Sequence, residues 1–281
     1  MKQVGFAHTA FTTADVYERG RSGYPSEAVG HLVQELRIDE ESTVVDLAAG
    51  TGKFTRLLVP TGARVVAVEP VAEMRGQLAK VVPEALPVAA AAEQLPLATS
   101  SVDALTVAQA FHWFEADRAL AEIHRVLKPG GRLGLVWNRA DTSVDWVARL
   151  SSIRSSREAA PKASAKLVLH RAKKKAAAWV AAGRSSPANG GDPAQPSWVA
   201  KCRRAFASTT LFTPLDEETF RHGEEMDADR LVDWVASFSP FSRLSEGEQA
   251  RVLGEVRKLA AGLPPRFSFP YRTDVFWSTA K

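Results

Sequence analysis

The amino-acid sequence predicts an α/β fold, a doubly wound and mostly parallel sheet covered by helices on both faces. Short runs rich in β-branched residues alternate with segments of helical periodicity between residues 26 and 137. The connections between these runs are short, and several of them contain glycine. Strands that alternate with helices pair in parallel, and right-handed crossovers place the carboxyl ends of the strands at one ligand-binding edge.

Each element of this first half is predicted from its own pattern. Val29, Leu32, Val33 and Leu36 recur at helical spacing, which predicts a helix over 26–37 with Ser26 as its N-cap. Apolar β-branched runs predict the strands that follow, and a period of 3.6 residues predicts the helices. We expect strands at 43–47, 64–69, 102–108 and 132–137, and helices at 54–59, 71–82 and 117–128.

The second half of the chain carries weaker patterns. Residues 161–182 have a helix-forming Ala- and Lys-rich composition, and 183–197 have the composition of a linker. Helices are predicted at 227–237 and 246–261, and strands at 218–222 and 271–278. We therefore divide the chain into an N-terminal segment with the first helix (1–40), a core (41–150), a basic, low-complexity and poorly ordered insert (151–205), and C-terminal helices with the last strands (206–281).

Composition excludes several classes of protein. The single cysteine, Cys202, excludes a disulfide framework and a cysteine-based metal cluster, and no metal site is predicted. No apolar run is long enough to span a membrane and no secretory signal is visible, so we expect a cytoplasmic protein. The net charge of +4 arises from residues 151–205, where twelve basic residues face two acidic ones. That segment is the one hint of nucleic-acid binding, which we do not expect.

The strongest motif is VVDLAAGTGKFT, at residues 44–55. A strand that runs into a glycine-bearing tight turn and then a helix lets backbone groups approach a ligand closely. Gly50 and Gly52 are the positions where a side chain would block that approach. The alternative is an ordinary strand-to-helix turn. The spacing AxGxG also differs from the GxGxxG of dinucleotide-binding proteins.

Glu69 ends the next strand, 23 residues after Asp46. A carboxylate at this place can accept both hydrogen bonds of a ribose diol, as in dinucleotide sites. The alternative is a solvated carboxylate at a strand end. Together, the glycine turn and Glu69 predict an adenosyl ligand at the strand ends.

Two later segments complete the pattern. Residues 92–97 (AEQLPL) precede a strand that ends in a loop of polar and aromatic residues, within SVDALTVAQAFHWF at 101–114. A predicted helix then closes at Lys-Pro-Gly-Gly and leads into another strand, within 122–137. In the order DLAAGTGKFT, VVAVEP, AEQLPL, SVDALTVAQAFHWF and RVLKPGG, these segments resemble the class I S-adenosylmethionine-dependent methyltransferases of the methyltransferase type 11 group.

The resemblance extends to relatives of trans-aconitate methyltransferase through residues 17–25 and 270–275, and it covers roughly 6–150 and 203–278. It implies a Rossmann-like, seven-stranded sheet with an antiparallel terminal strand. It also implies S-adenosylmethionine as the cofactor and a small-molecule acceptor, methylated on a carboxylate or hydroxyl oxygen by in-line displacement.

The resemblance also implies which residues hold the cofactor. Asp46, Gly50 and Gly52 would contact its methionine half, and Glu69 its ribose. Ala48 replaces the first glycine of the common GxGxG pattern, and Ala91 stands where many relatives have an aspartate. Tyr17 and Arg21 would belong to an N-terminal lid, with Arg21 facing the cofactor carboxylate. The remaining implied contacts are Pro70, Met74, Ala92 and Glu93 around the adenine and Gln109 near the sulfonium.

The aromatic loop supplies the catalytic candidates. His112 is the candidate base or acceptor-positioning residue, with a structural histidine as the alternative. Phe111 and Trp113 are candidate substrate contacts that offer cation–π interactions, with simple packing as the alternative. A catalytically silent cofactor-binding or interaction protein remains a second hypothesis. The absence of GxGxxG disfavours a nicotinamide-dependent oxidoreductase.

Overall fold

The computed structural model describes residues 22–155, 197–238, 241 and 244–281. Within them, helices and strands alternate as predicted. The helices are α1 (Ser26–Glu35), α2 (Thr55–Leu58), α3 (Ala72–Val81), α4 (Ala116–Val126), α5 (Asp145–Ser155), α6 (Ser197–Ser208), α7 (Ala228–Ala236) and α8 (Glu246–Ala260). The strands are β1 (Thr43–Leu47), β2 (Arg64–Val68), β3 (Leu86–Val88), β4 (Val102–Ala108), β5 (Leu127–Ala140), β6 (Asp216–Met226) and β7 (Phe267–Thr279).

The strands form one seven-stranded sheet in the order β3-β2-β1-β4-β5-β7-β6. The pairs from β3 through β5 are parallel, whereas β7 runs antiparallel to both of its neighbours, β5 and β6. From β1 the strand order extends to β2 and β3 on one side and, after the crossover to β4, to β5 on the other side. This topological switch point places the carboxyl ends of β1, β2 and β4 around one crevice. The predicted α/β fold, the mostly parallel sheet and its antiparallel terminal strand are confirmed.

Helices on both faces bury the sheet. In β1, Val45 and Leu47 belong to one hydrophobic cluster and Val44 to another, because alternate side chains of a strand point to opposite faces. The first cluster packs against α4 and α6, and the second against α1 and α3. A third cluster joins α5, α7 and α8 to the ends of β6 and β7.

The structure differs from the predicted elements at two places in the first half of the chain. Ser26 is the first helical residue, and the N-cap is Pro25, in an extended conformation with no side-chain hydrogen bond, so the predicted serine cap is wrong. Strand β3 was not predicted because it has only three residues, one of them Pro87. Proline is tolerated there because β3 lies at the edge of the sheet.

Both described ends of the predicted 151–205 insert are helical. Residues 151–155 complete α5, and 197–205 lie in α6, where Val199, Cys202 and Ala205 are buried in the core. These apolar positions recur at helical spacing, which anchors α6 to the domain. The rest of the predicted insert, with the predicted helix at 161–182, lies outside the described residues.

Candidate functional site

The turn after β1 has an unusual backbone. Ala48, Gly50 and Gly52 all have positive φ angles, of 59°, 59° and 87°. The N–H of Ala49 donates to the carbonyl of Val68, which ties the turn to the end of β2. Alanine in this region costs about 1–2 kcal/mol. The turn is therefore held in a strained conformation at the carboxyl edge of the sheet.

The two glycines serve different purposes. A Cβ atom added to Gly50 would meet nothing within 4 Å, so this residue faces open space in front of the turn. A Cβ atom added to Gly52 would lie 2.9 Å from Val82 Cγ2 and 3.3 Å from Leu78 Cγ. Gly52 is therefore required by packing against α3, whereas the space in front of Gly50 is open.

The structure brings the turn and Glu69 into direct contact. The Gly50 N–H donates to Glu69 Oε2 at 2.9 Å, and the Val71 N–H donates to Oε1 at 2.9 Å. Glu69 is only 5% exposed, and burial raises the pKa of its carboxyl against the opposing effect of these two hydrogen bonds. Each carboxylate oxygen has a second lone pair, so Glu69 retains one acceptor position per oxygen for a diol.

Asp46 lies behind the turn rather than in front of it. Its side chain is fully buried, and its oxygens accept hydrogen bonds from Thr55 Oγ1 at 2.6 Å and Thr106 Oγ1 at 3.0 Å. Asp46 thus joins β1 to α2 and β4. Burial raises the pKa of Asp46 to about 6, although the two threonine hydrogen bonds act to lower it.

The raised pKa of Asp46 predicts that its contribution to the free energy of unfolding depends on pH. Because the folded-state pKa of about 6 exceeds the ordinary value of 3.8, stability is largest below the ordinary value and is lost as pH rises through about 6. We expect Asp46→Asn to remove this dependence. Between pH 5 and pH 7 the free energy of unfolding of the natural protein should fall by about 1 kcal/mol relative to the variant. Urea denaturation of both proteins at pH 5 and pH 7 measures this difference. An equal change in the free energy of unfolding of the natural protein and the variant would contradict the prediction.

Gln109 lies at the end of β4, next to this turn. Its φ angle is 61°, its N–H donates to the carbonyl of Val136, and its Nε2 donates to the carbonyl of Asn138 at 2.7 Å. Asn138 Nδ2 in turn donates to the carbonyl of Gly23 at 2.6 Å. The Gly23 N–H donates to Glu224 Oε1 at 2.9 Å. This chain of hydrogen bonds fixes the residues just before α1 over the strand ends.

The predicted adenine contacts occupy mixed positions. Pro70 is exposed directly after Glu69, while Met74 of α3 and Ala92 are buried. Glu93 Oε1 accepts a hydrogen bond from the N–H of Glu115, the N-cap residue of α4, so one of its oxygens is already engaged. The predicted lid residues, Tyr17 and Arg21, lie outside the described residues.

The aromatic loop (111–114) contains both buried and exposed side chains. Phe111 is fully buried and packs against Phe114 and Phe206, which agrees with the alternative of simple packing. Its apolar ring packs inward because the short 3₁₀ turn at 111–113 directs it there. Trp113 is 37% exposed, and His112 beside it is half-buried.

A lysine of α6 fixes this loop. Lys201 Nζ donates to the carbonyls of His112 at 2.7 Å and Phe114 at 2.9 Å. Sequence reasoning counted Lys201 within the basic excess of the insert and missed this contact. Lys201 and His112 are 89 residues apart, so their contact becomes evident only once α6 is seen to pack against the loop.

His222 is a second residue that the sequence left without a role. Its ring stacks on Tyr271 with centroids 5.3 Å apart, and neither buried ring nitrogen has a hydrogen-bond partner among the described residues. Burial lowers the pKa of His222. It pairs across β6 and β7 with Tyr271, a neighbour that is distant in sequence.

Metal and membrane features are absent from the parts of the chain that the structure describes. These parts contain no group of three or more His, Cys, Asp or Glu side chains that could hold a metal ion. They also contain no helix long and apolar enough to cross a membrane. Cys202 is buried, which raises the pKa of its thiol to about 12. A thiol with this pKa remains protonated and is no nucleophile.

Comparison with known proteins agrees with this geometry. Residues 45–135 match the methyltransferase domain family. An uncharacterised methyltransferase of Mycobacterium tuberculosis is 48% identical over 137 residues, which cover 49% of this chain and 55% of the relative. An uncharacterised methyltransferase-like protein of Schizosaccharomyces pombe is 43% identical over 138 residues, 49% of this chain and 54% of the relative. The chain thus spans about half the length of the curated relatives it matches.

Solved structures share the whole fold at low sequence identity. A protein assigned as a type II methyltransferase from Anaeromyxobacter dehalogenans aligns with a TM-score of 0.58 at 20% identity, covering 93% of this chain and 97% of that one. A protein from Anabaena variabilis, assigned as a methyltransferase of antibiotic biosynthesis, also has a TM-score of 0.58, at 17% identity over 89% and 96% of the two chains. Residues 45–135 thus match a methyltransferase domain, and the chain shares its fold with solved structures that are assigned as methyltransferases.

Proposed function

We propose that this protein transfers a methyl group from S-adenosylmethionine to a small-molecule acceptor. The observation that carries the proposal is the contact between the Gly50 N–H and the Glu69 carboxylate. It joins a backbone open to a ligand and a buried diol acceptor at the carboxyl edge of the sheet. An adenosyl group with a charged amino-acid tail fits this arrangement, because the ribose and the tail require both features at once.

Each residue has a defined part in this proposal. Glu69 accepts the ribose hydroxyls, the turn at Gly50 leaves room for the methionine half, and the buried Asp46 supplies negative potential for its cationic groups. When bound, S-adenosylmethionine would supply an electrophilic methyl group on its sulfonium. Transfer to an acceptor oxygen would leave the C–S electron pair on sulfur, and a carboxylate acceptor would have no proton to lose. The protein must therefore align the acceptor and exclude water. Asn138 holds Gln109 at that point, and Lys201 holds the loop of His112 and Trp113.

Calorimetry tests the cofactor assignment. We expect binding of S-adenosylmethionine and of S-adenosylhomocysteine, and no binding of NAD, because the turn lacks the GxGxxG arrangement. Methyl transfer from labelled cofactor into a metabolite extract then tests the activity. Binding of NAD in place of the adenosyl ligands would overturn the assignment. Tight cofactor binding without any labelled product would identify a silent binding protein instead.

A further inference from the structure

The loop between β3 and β4, at residues 89–101, contains no helix or strand of its own. One isolated bridge joins Ala91 to Gln94, where the N–H of Gln94 donates to the carbonyl of Ala91 at 3.2 Å. Ala92 and Glu93 form the tip of this turn, and Ala92 is buried. Buried backbone groups that lack ladder partners must find partners elsewhere. The conformation of the β3–β4 loop therefore depends on an element that packs against it.

A carboxylate–guanidinium pair on α4 is placed to hold this loop. Arg125 Nε donates to Glu122 Oε2 at 2.8 Å, and Arg125 Nη2 donates to Glu122 Oε1 at 2.7 Å. Two parallel hydrogen bonds fix the plane of the guanidinium group as well as its position. Hydrogen bonding from Arg125 also holds the pKa of the Glu122 carboxyl below its ordinary value, so the pair is charged at neutral pH. This Glu122–Arg125 pair, the α4 fork, is therefore oriented and ionised.

The α4 fork uses its remaining groups on the β3–β4 loop. The N–H of Leu95 donates to Glu122 Oε1 at 2.7 Å, and Arg125 Nη2 donates back to the Leu95 carbonyl at 3.1 Å. Arg125 Nη1 donates to the Leu97 carbonyl at 2.9 Å and to Thr99 Oγ1 at 3.3 Å. The Leu95 side chain is buried in the first hydrophobic cluster. Both the backbone and the side chain of Leu95 are thus fixed.

The N-terminus of α4 holds the tip of the same loop. The N–H of Glu115, the N-cap residue, donates to Glu93 Oε1 at 2.9 Å. Within the described parts of the chain, this is the one hydrogen bond recorded for the Glu93 side chain, so Oε2 keeps its capacity as an acceptor. Leu95 lies two residues further along, so the α4 fork sets the backbone from which Glu93 extends. Ala91 has no polar side chain, which leaves Glu93 as the carboxylate at this tip.

The tip follows the strand that lies next to Glu69. The N–H of Glu69 donates at 2.9 Å to the carbonyl of Val88, the last residue of β3. Four residues of chain, at most roughly 14 Å, lead from Val88 to Ala92. The base of a nucleoside is bonded to the ribose carbon next to the diol. A base whose ribose is bound by Glu69 is therefore within reach of Glu93.

We propose that the α4 fork positions the β3–β4 loop so that Glu93 Oε2 accepts a hydrogen bond from the exocyclic amine of adenine. Glu122 and Arg125 are positioning residues, which act on the base through Glu93. An amine donates to a carboxylate, whereas the carbonyl at the same position of hypoxanthine presents a second acceptor and is repelled. The inference rests on the proposed cofactor, and it adds the residues of α4 through which the site selects the base.

Calorimetry on the full chain with S-adenosylhomocysteine and S-inosylhomocysteine tests this role, because the two ligands differ at the 6-position of the base. We expect the natural protein to bind S-adenosylhomocysteine at least about tenfold more tightly, since the amine–carboxylate hydrogen bond is lost with the second ligand. Arg125→Met should reduce this preference to less than about threefold, mainly by weakening S-adenosylhomocysteine binding. Arg125→Lys keeps the charge but loses the planar fork, so the preference should fall as well.

Arg118→Met is the matched control. Arg118 pairs with Glu115 at the same i,i+3 spacing on the same helix, and both side chains are exposed. The Glu115 contact to the loop is made by its backbone N–H and does not involve this pair. The variant should therefore leave the affinities for both ligands unchanged.

Glu93→Ala separates positioning from a general loss of stability. It removes the acceptor and should abolish the preference while the α4 fork still holds the loop. In the Glu93→Ala background, Arg125→Met should change S-adenosylhomocysteine affinity less than about twofold, since the fork has no carboxylate left to position. A purely structural role of Arg125 would instead weaken both ligands in proportion, in either background.

The outcomes separate the two proposals. Failure of S-adenosylhomocysteine to bind the natural protein overturns the proposed function. With that binding intact, equal affinity for the two ligands overturns the reading of the amine by Glu93. A preference that survives in both Arg125 variants, or a proportional loss of both ligands, overturns the positioning role of the α4 fork. Glu122→Gln breaks the charged pair but keeps an acceptor for the loop, and its reduced preference tests the role if neither Arg125 variant folds.

Discussion

Replacing Glu69 with alanine is expected to weaken binding of S-adenosylmethionine and S-adenosylhomocysteine by at least about tenfold. Two ribose hydroxyls would lose a charged acceptor, and hydrogen bonds to charged groups contribute about 1.5–3 kcal/mol each. A tenfold change corresponds to about 1.4 kcal/mol, so the expected loss exceeds this lower bound. The variant also leaves the Gly50 and Val71 N–H groups without their acceptor, which loosens the turn.

Isothermal calorimetry checks this effect, and two further variants define its cause. Glu69→Gln keeps the shape but has one acceptor oxygen in place of two, so its affinity should fall between those of the natural protein and Glu69→Ala. Glu84→Gln changes an exposed glutamate before β3 and should leave affinity unchanged. Unaltered cofactor affinity in Glu69→Ala would show that the ribose assignment is wrong.

The sequence predicts those features of the site that depend on short segments. The glycine turn follows its own strand, and Glu69 ends the next one, so parallel pairing of β1 and β2 is enough to bring them together. The order of motifs likewise predicts the sheet, because each strand and crossover is encoded locally. The contact between Gly50 and Glu69 is the direct consequence.

Features that depend on packing between distant segments were not predictable. The oxygens of Asp46 accept hydrogen bonds from Thr55 and Thr106, and the second of these lies 60 residues away. The ring of Phe111 packs against Phe206 of α6, which lies 95 residues further along the chain. Periodicity reports that a residue is apolar or polar, and it does not report which neighbour fills the space beside it.

Substitution by alanine is expected to affect mainly stability at Gly52 and mainly cofactor binding at Gly50. Gly52→Ala places a Cβ atom 2.9 Å from Val82 at a φ of 87°, so strain and overpacking together should reduce the free energy of unfolding by about 2–4 kcal/mol. Gly50→Ala meets no atom within 4 Å and should cost only about 1–2 kcal/mol of backbone strain. Its methyl group, however, occupies the space in front of the turn and should weaken S-adenosylhomocysteine binding at least as much as Glu69→Ala.

Urea denaturation and calorimetry on both variants measure the two effects separately. Gly254→Ala, in the middle of α8 with nothing within 4 Å of the added atom, is the matched control. It should raise stability by about 0.5–1 kcal/mol through helix propensity and leave cofactor affinity alone. If Gly52→Ala keeps its stability but loses affinity, the ligand and not α3 requires that glycine. If Gly50→Ala keeps its affinity, the adenosyl ligand does not approach the backbone at this turn, because a methyl group there would stand in its path.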